Sequence, residues 1–364
     1  MKLNPLHKYY FKQIFSFGII WVFFGLVYIM IEYGIMGETS FYPSTGNKYS
    51  LRSSLIAISL GGFFMGTIQG VIEIFWFKKI FNQTSFWAKL ILKSLFYLFF
   101  IFIFLISITF VNNSYLYNAP LFAPVVINSM HAFITEFSFW SIIIYIGIIL
   151  DIALFYSEIK DYIGENVLSN YLGKYHKPKQ ETRIFMFLDM KSSTSIAESL
   201  GHQKYFELLQ AYYADMTSAI LETSGEVYQY VGDEIVVTWT EVQGLYKNNC
   251  LRCFSKITQT INSKKDDYIT SFGLIPEFKA GYHTGVVTVG NIGIIRKELI
   301  YTGDILNTAA RIQEECNSLN SKILISEELA EKLEKHDKLS LVKVKNLLLR
   351  GKKQAIQLYQ VNLN

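Results

Sequence analysis

Asp189 stands at the end of an apolar run, Arg183–Leu188, that reads as a buried strand. Met-Lys-Ser-Ser-Thr-Ser follows, and a helical pattern begins near Ile196. A carboxylate at a strand end, with small hydroxyl residues opening a helix, can hold a cation and a phosphate together. The acid supplies a hard oxygen ligand, and the helix N-terminal amides face the anion. The same residues would also serve as a plain helix cap. Further along, Val227–Val231 and Ile235–Trp239 alternate like two strands around Gly232-Asp233-Glu234. Gly-Asp in a tight turn marks a hairpin, with Asp233 at its tip. If that hairpin pairs beside Arg183–Leu188, both carboxylates reach one point. Two carboxylates plus substrate phosphates make a magnesium site with room for two ions. A bare turn explains Gly-Asp too. The third element is Thr302-Gly-Asp-Ile-Leu-Asn-Thr-Ala-Ala-Arg-Ile-Gln313. Asn307 and Arg311 fall on one helix face, and the small Ala309 and Ala310 allow close packing. An amide and a guanidinium so placed can orient a ribose and neutralise a phosphoryl transition state, or form a surface pair.

In this order the three elements resemble the catalytic domain of the class III nucleotidyl cyclases, the adenylate and guanylate cyclases. The resemblance covers Arg183–Val361 and extends to Ala280-Gly-Tyr-His-Thr-Gly285, Val289-Gly-Asn-Ile-Gly293 and Leu349-Arg-Gly-Lys352. Tyr171-Leu-Gly-Lys-Tyr-His is similar to the stretch that introduces the domain in membrane-bound bacterial members. The resemblance implies an α/β (α+β) ferredoxin-like palm that pairs head to tail as a homodimer. Asp189, Met190 and Asp233 of one chain would hold two magnesium or manganese ions. Ser192, Ser193 and Thr194 would lie at the substrate phosphates. Asn307 and Arg311 of the other chain would be the catalytic pair, and Lys352 would contact the terminal phosphates. The 3′-hydroxyl would attack the α-phosphorus and pyrophosphate would leave. No dedicated side-chain base is evident, which suits a metal-activated hydroxyl.

Two departures bear on the substrate. Adenylate cyclases of this family usually read the base with Lys and with Asp or Thr, and guanylate cyclases with Glu and Cys. This chain has Gln229 and Ile300 at those positions, with Thr302 two residues on. A Gln amide both donates and accepts, so it suits either purine. The missing Glu leans against guanine, and bacterial-looking membrane members are mostly adenylate cyclases, so ATP is expected and GTP is the alternative. Ser192-Ser193 stands where many relatives carry Gly-Phe, which alters triphosphate contacts without removing a ligand.

These elements sit in the more polar half of an apolar chain. Of 364 residues, 51% are hydrophobic and only 18% are charged. Soluble globular proteins carry nearer a quarter charged, so an ordinary cytosolic enzyme and a disordered chain are both excluded. Residues 1–157 hold nine Lys or Arg and five Asp or Glu, against 25 of each in the remaining 207. The net +4 is therefore a membrane-edge feature, and no nucleic-acid partner is expected. Phe15–Tyr33, Leu55–Trp76, Leu90–Val111 and Phe133–Phe155 are each long enough to cross a bilayer. Lys2, Lys8 and Lys12, with Lys78, Lys79, Lys89 and Lys93, put seven positive charges on one side, against Lys48 and Arg52 on the other. The N-terminus and the C-terminal half should therefore face the cytoplasm from the inner membrane. Among the polar residues, Glu73 and Asp151 read as interfacial and snorkelling, while Glu136 could face the bundle interior. His131 lies just outside the last span.

The expected organisation is a four-span transmembrane domain over 1–157, a helical linker over 158–182 and a catalytic domain over 183–364. Ile152, Tyr156, Ile159 and Ile163 give the linker about two heptads, and Pro178 suggests an exposed break. Cys250 and Cys253 form a C-x-x-C without a second ligand pair, so they read as packed thiols. The function expected is a membrane adenylate cyclase, a phosphorus–oxygen lyase. The alternatives are a guanylate cyclase and a membrane receptor with a silent, cyclase-like dimerisation domain.

Overall fold

The computed structural model describes residues 4–41, 49–81, 84–163, 175, 177–294, 297–334, 339–344, 346 and 355–363. The chain divides into two compact units, Tyr10–Glu165 and Asn166–Asn364 with Met1–Tyr9.

The first unit is helical. It contains α1 (Pro5–Met36), α2 (Leu51–Ile72), α3 (Phe86–Leu116), α4 (Pro124–Thr135) and α5 (Phe137–Ile163). Helix α2 continues through a π-helical turn, Glu73–Phe77, into Lys78–Ile80. Four segments are long and apolar enough to cross a membrane: Pro5–Met36, Leu51–Phe77, Phe86–Leu116 and Phe137–Lys160. Large side chains such as Phe23, Phe99 and Phe137 point outward, as suits helices whose solvent is lipid. Glycines draw α1 and α2 together. A Cβ on Gly66 would stand 2.7 Å from the Phe17 carbonyl oxygen, and one on Gly70 would stand 2.9 Å from the Ile14 Cα. This one-turn spacing of small residues lets two helix backbones touch where no hydrophobic effect drives them together.

The structure corrects two expectations here. The fourth span begins at Phe137, not Phe133, because Glu136 takes an extended conformation (ψ 146°) and separates α4 from α5. Glu136 therefore sits at a helix break, where Ser138 Oγ donates to it at 3.2 Å. The buried acid is Glu73, only 1% exposed, and it does not snorkel. Lys93 Nζ donates to Glu73 Oε2 at 2.6 Å and to Glu158 Oε1 at 2.7 Å, and the Tyr97 hydroxyl donates to Glu73 Oε1 at 3.1 Å. This network ties α2, α3 and α5 together at one end. Asp151 is exposed. Helix α5 reaches Ile163, and residues 164–174, the middle of the expected linker, lie outside the described residues.

The second unit is built on an eight-stranded mixed sheet. Its strands are β1 (Lys179–Met190), β2 (Glu226–Val231), β3 (Glu234–Thr240), β4 (Phe278–Ile292), β5 (Glu298–Thr302), β6 (Ile323–Ser326), β7 (Leu339–Lys343) and β8 (Leu358–Leu363). The order is β2-β3-β1-β4-β6-β8-β7, and β5 pairs with the end of β4. Helices α6 (Ser193–Leu200) and α7 (His202–Glu222) join β1 to β2. The link from β3 to β4 carries α8 (Glu241–Leu245), α9 (Asn249–Ser263) and α10 (Lys265–Phe272). The first four strands thus make the βαββαβ arrangement expected of a ferredoxin-like palm.

Strand β1 is buried on both faces, and its alternation divides the core. Ile184, Met186 and Leu188 meet Leu208, Tyr212 and Met216 of α7. Phe185 and Phe187 turn the other way, toward Tyr301 of β5 and Ile305 and Ala309 of α11 (Asp304–Ser318). Cys250 and Cys253 are free and fully packed, and burial pushes both thiols up to about 12. The buried Arg183 guanidinium is held by Glu181, Glu226 and the Tyr301 ring. A short helix, α12 (Glu327–Ala330), follows β6.

Candidate active site

The three motifs meet the sheet as their residue types suggest. Strand β1 runs antiparallel between β3 and β4, and Asp189 sits at its end, opposite Lys279 of β4. The β2–β3 hairpin closes through Gly232 and Asp233, with Val231 paired to Glu234. Gly232 has φ 63°, which the first position of a type II′ turn requires and a Cβ would resist. Tyr213 of α7 braces the turn, its hydroxyl donating to the Gly232 carbonyl at 2.8 Å.

Pairing of β3 with β1 brings Asp233 against Asp189. Burial first, and then the neighbouring Asp233 charge, raise the Asp189 carboxyl above the usual carboxylate range, while Lys279 pulls it the other way. Asp233 Oδ2 is buried and lacks a hydrogen-bond partner. Two facing carboxylates with an orphaned buried oxygen fit a divalent cation, which would compensate the negative charge that Lys279 offsets only in part. Among the described residues no group of three His, Cys, Asp or Glu forms a closed metal cage. A magnesium site completed by waters and substrate phosphates does not need one. Met190 ends β1 with its side chain in the core, so only its backbone is available to an ion.

Helix α11 carries Asn307 and Arg311, and their surroundings differ from those of the aspartates. Ile305, Ala309, Ile312 and Cys316 face the sheet, whereas Asn307 is exposed and Arg311 half-buried. The 100° step of the helix turns both away from Gln313, which is the residue of α11 that reaches Asp189. Its Nε2 donates to Asp189 Oδ2 at 3.1 Å. A single chain thus joins Asp189 to Asp233 but not to Asn307 or Arg311. The helix lies directly on β4, where a Cβ on Gly281 would fall 2.2 Å from the Gln313 amide nitrogen.

Ser192 precedes α6 in the left-handed conformation (φ 56°) and offers no side-chain cap. A left-handed backbone here accounts for the Gly that many relatives carry at this position. Ser193 lies near the Tyr205 hydroxyl, and Thr194 lies exposed in the first turn of α6. Gln229 is exposed beside a bulge in β2. Ile300 and Thr302 share one face of β5, and the Thr302 hydroxyl donates to the Thr288 carbonyl at 3.3 Å. Lys352 lies outside the described residues.

Three residues at this site escape the motif reading. Gln313 is in the Asn-Arg stretch but one turn face away. Lys279 is buried beside Asp189, at 3.4 Å from its Oδ2. Glu234 lies next to the two aspartates. Burial, followed by those two charges, pushes its carboxyl up to about 7. In the sequence Glu234 figures only as the last residue of the Gly232-Asp233-Glu234 turn, and nothing local points to Lys279.

A mixed sheet of this topology, with two carboxylates where β1 ends and the hairpin turns, defines a nucleotidyl cyclase domain. Residues 175–362 match the adenylate and guanylate cyclase catalytic domain, and the chain belongs to that family. It is 34% identical over 181 residues to adenylate cyclase 2 of Rhizobium meliloti (strain 1021), covering 50% of each chain. It is 27% identical over 180 residues to an adenylate cyclase of Anabaena cylindrica, covering 48% of this chain and 36% of that one. The chain thus spans half or less of the length of these relatives. In fold it is similar to a bacterial light-regulated adenylyl cyclase, with a TM-score of 0.53 at 18% identity over 63% of this chain and 66% of that one.

Proposed function

We propose that the chain is a membrane-anchored adenylate cyclase that converts ATP to 3′,5′-cyclic AMP and pyrophosphate at sites shared by two copies. The observation that carries this reading is the buried, unpartnered Asp233 Oδ2 beside Asp189. Silent domains have no reason to keep two carboxylates facing each other at such electrostatic cost. Asp189 and Asp233 would hold magnesium or manganese, two ions per site. When bound, the metal stabilises charge on the attacking and leaving oxygens.

The outward aspect of Asn307 and Arg311 favours a twofold homodimer in which each helix serves the other copy's aspartates. Asn307 orients the ribose, and Arg311 neutralises charge at the α-phosphate. Ser192, Ser193, Thr194 and Lys352 belong to the triphosphate side. In the reaction the 3′-oxygen bonds to the α-phosphorus as the bond to pyrophosphate breaks. The hydroxyl proton leaves to solvent, and pyrophosphate keeps the electron pair.

ATP is favoured over GTP for two reasons. The curated relatives above are adenylate cyclases, and the positions expected to read the base carry a neutral amide, Gln229, and an apolar side chain, Ile300. Neither offers the acidic acceptor that guanine's N1–H and amino group call for. The catalytic half and the N-terminus face the cytoplasm, by the seven-to-two distribution of basic residues. The test is direct. Purified full-length protein is assayed with ATP and with GTP, with magnesium and with manganese, and the product is identified by mass. Cyclic AMP that disappears in Asp233→Ala supports the reading; cyclic GMP alone would reassign the base; no product from a folded dimer would overturn it.

A further inference from the structure

The metal end of the site already contains a cation. Lys279 is 6% exposed, lies across the β1–β4 ladder from Asp189, and brings its ammonium to 3.4 Å from Asp189 Oδ2. That same oxygen accepts from Gln313 Nε2. Lys279 also acts on Glu234, opposing the rise of its carboxyl. A buried ammonium beside Asp189, acting on Glu234 as well, is a fixed counter-ion. It cannot diffuse away when a second cation arrives.

We propose that Lys279 sets the metal affinity of this site by competing with the divalent cation for Asp189. The nucleotide-free site is thereby kept from filling with metal, and cations are taken up together with the substrate's triphosphate. The inference rests on the reading of Asp189 and Asp233 as metal ligands. Its physical basis is that one fixed positive charge at ion-pair distance shifts a carboxylate's affinity for a proton by about one to three logarithmic units, and a dication is repelled at least as strongly. The triphosphate brings negative charge that offsets Lys279 and restores a net attraction. Gln313 has a separate task. Its neutral side-chain amide donates to Asp189 Oδ2 at 3.1 Å and fixes that oxygen without adding charge.

The sign of the effect separates competition from simple orientation. If Lys279 only aimed Asp189, its removal would weaken metal binding; if it competes, removal strengthens binding. Binding of manganese alone to the purified full-length protein is measured at pH 8 by the electron paramagnetic resonance signal of the free ion. Lys279→Met should bind manganese about tenfold or more tightly than wild type. Lys279→Met/Asp189→Ala should lose that gain, and Lys279→Arg should behave as wild type. Addition of a non-cyclisable ATP analogue should narrow the gap between wild type and Lys279→Met. Lys279→Gln serves as a second variant if the Met form does not fold. Equal or weaker manganese binding by folded Lys279→Met or Lys279→Gln would overturn the proposal while leaving the site intact, provided wild type binds manganese with the analogue and Asp233→Ala does not. Absence of manganese binding in every variant, with or without the analogue, would overturn both the proposal and the reading beneath it.

Discussion

Glu73 and Lys93 lie twenty residues apart in the chain and pair at 2.6 Å inside the helical unit, with side chains 2% and 3% exposed. Glu158 completes the arrangement from α5, 2.7 Å from the same ammonium. Loss of the cation leaves two acids facing each other away from water. Breaking such a buried pair costs about 3–5 kcal/mol. Lys93→Met should therefore lower the thermal midpoint of the detergent-solubilised protein, and adding Glu73→Gln and Glu158→Gln should recover most of the loss. An unchanged midpoint in Lys93→Met would show that the pair does not hold the helices together.

Shared sites make a prediction that isolated sites do not. Asp189→Ala and Arg311→Ala should each abolish cyclase activity. Coexpressed, the two variants should regain about a quarter of the wild-type activity, because random pairing makes half of the dimers mixed and each keeps one whole site. Demonstrated mixed dimers without activity would argue against the shared site.

The carboxyls at the metal end give a pH dependence of known sign. Glu234 rises in the folded chain from 4.5 to about 7, and Asp189 rises as well. The folded state then binds more protons than the unfolded state between those values. Stability of the metal-free protein should consequently fall as pH rises from about 4.5 to 7. Thermal scans across that window check this, and Glu234→Gln should flatten the slope.

Ser192 offers a stabilising substitution. Its φ of 56° costs a residue with a Cβ roughly 1 kcal/mol that glycine avoids. Ser192→Gly should slow thermal inactivation, whereas Ser192→Val should hasten it, because a β-branched residue resists positive φ. Matching inactivation rates for the three proteins would remove strain as the explanation.

Base selection can be probed at Gln229. A Lys there would donate to the adenine ring acceptor and repel the donor edge of guanine, so Gln229→Lys should raise the ratio of ATP to GTP turnover. An unchanged ratio would show that position 229 does not read the base.

Residue order alone determined a large part of this protein. Long apolar runs with basic edges define membrane-length helices, because the period and length of an apolar segment are local properties. The β1 strand, the Gly232-Asp233 turn and the Asn307–Arg311 spacing were legible for the same reason. Alternation, turn chemistry and helical repeat are written within a few neighbouring residues. The fourth span departs from its hydropathy bounds at its start, where Glu136 interrupts a run that hydropathy treats as continuous, and it continues past Phe155.

Tertiary structure decided which of the polar residues meet. Lys93 reads as a basic residue at a membrane edge and Glu73 as a snorkelling acid until helix packing places one against the other. Lys279 is an ordinary lysine until the β1–β4 register sets it opposite Asp189, and Gln313 is a motif neighbour until Gly281 admits α11 onto the sheet. Electrostatic partners of this kind come from distant segments, and their energy depends on separation and burial, neither of which exists before the chain is folded.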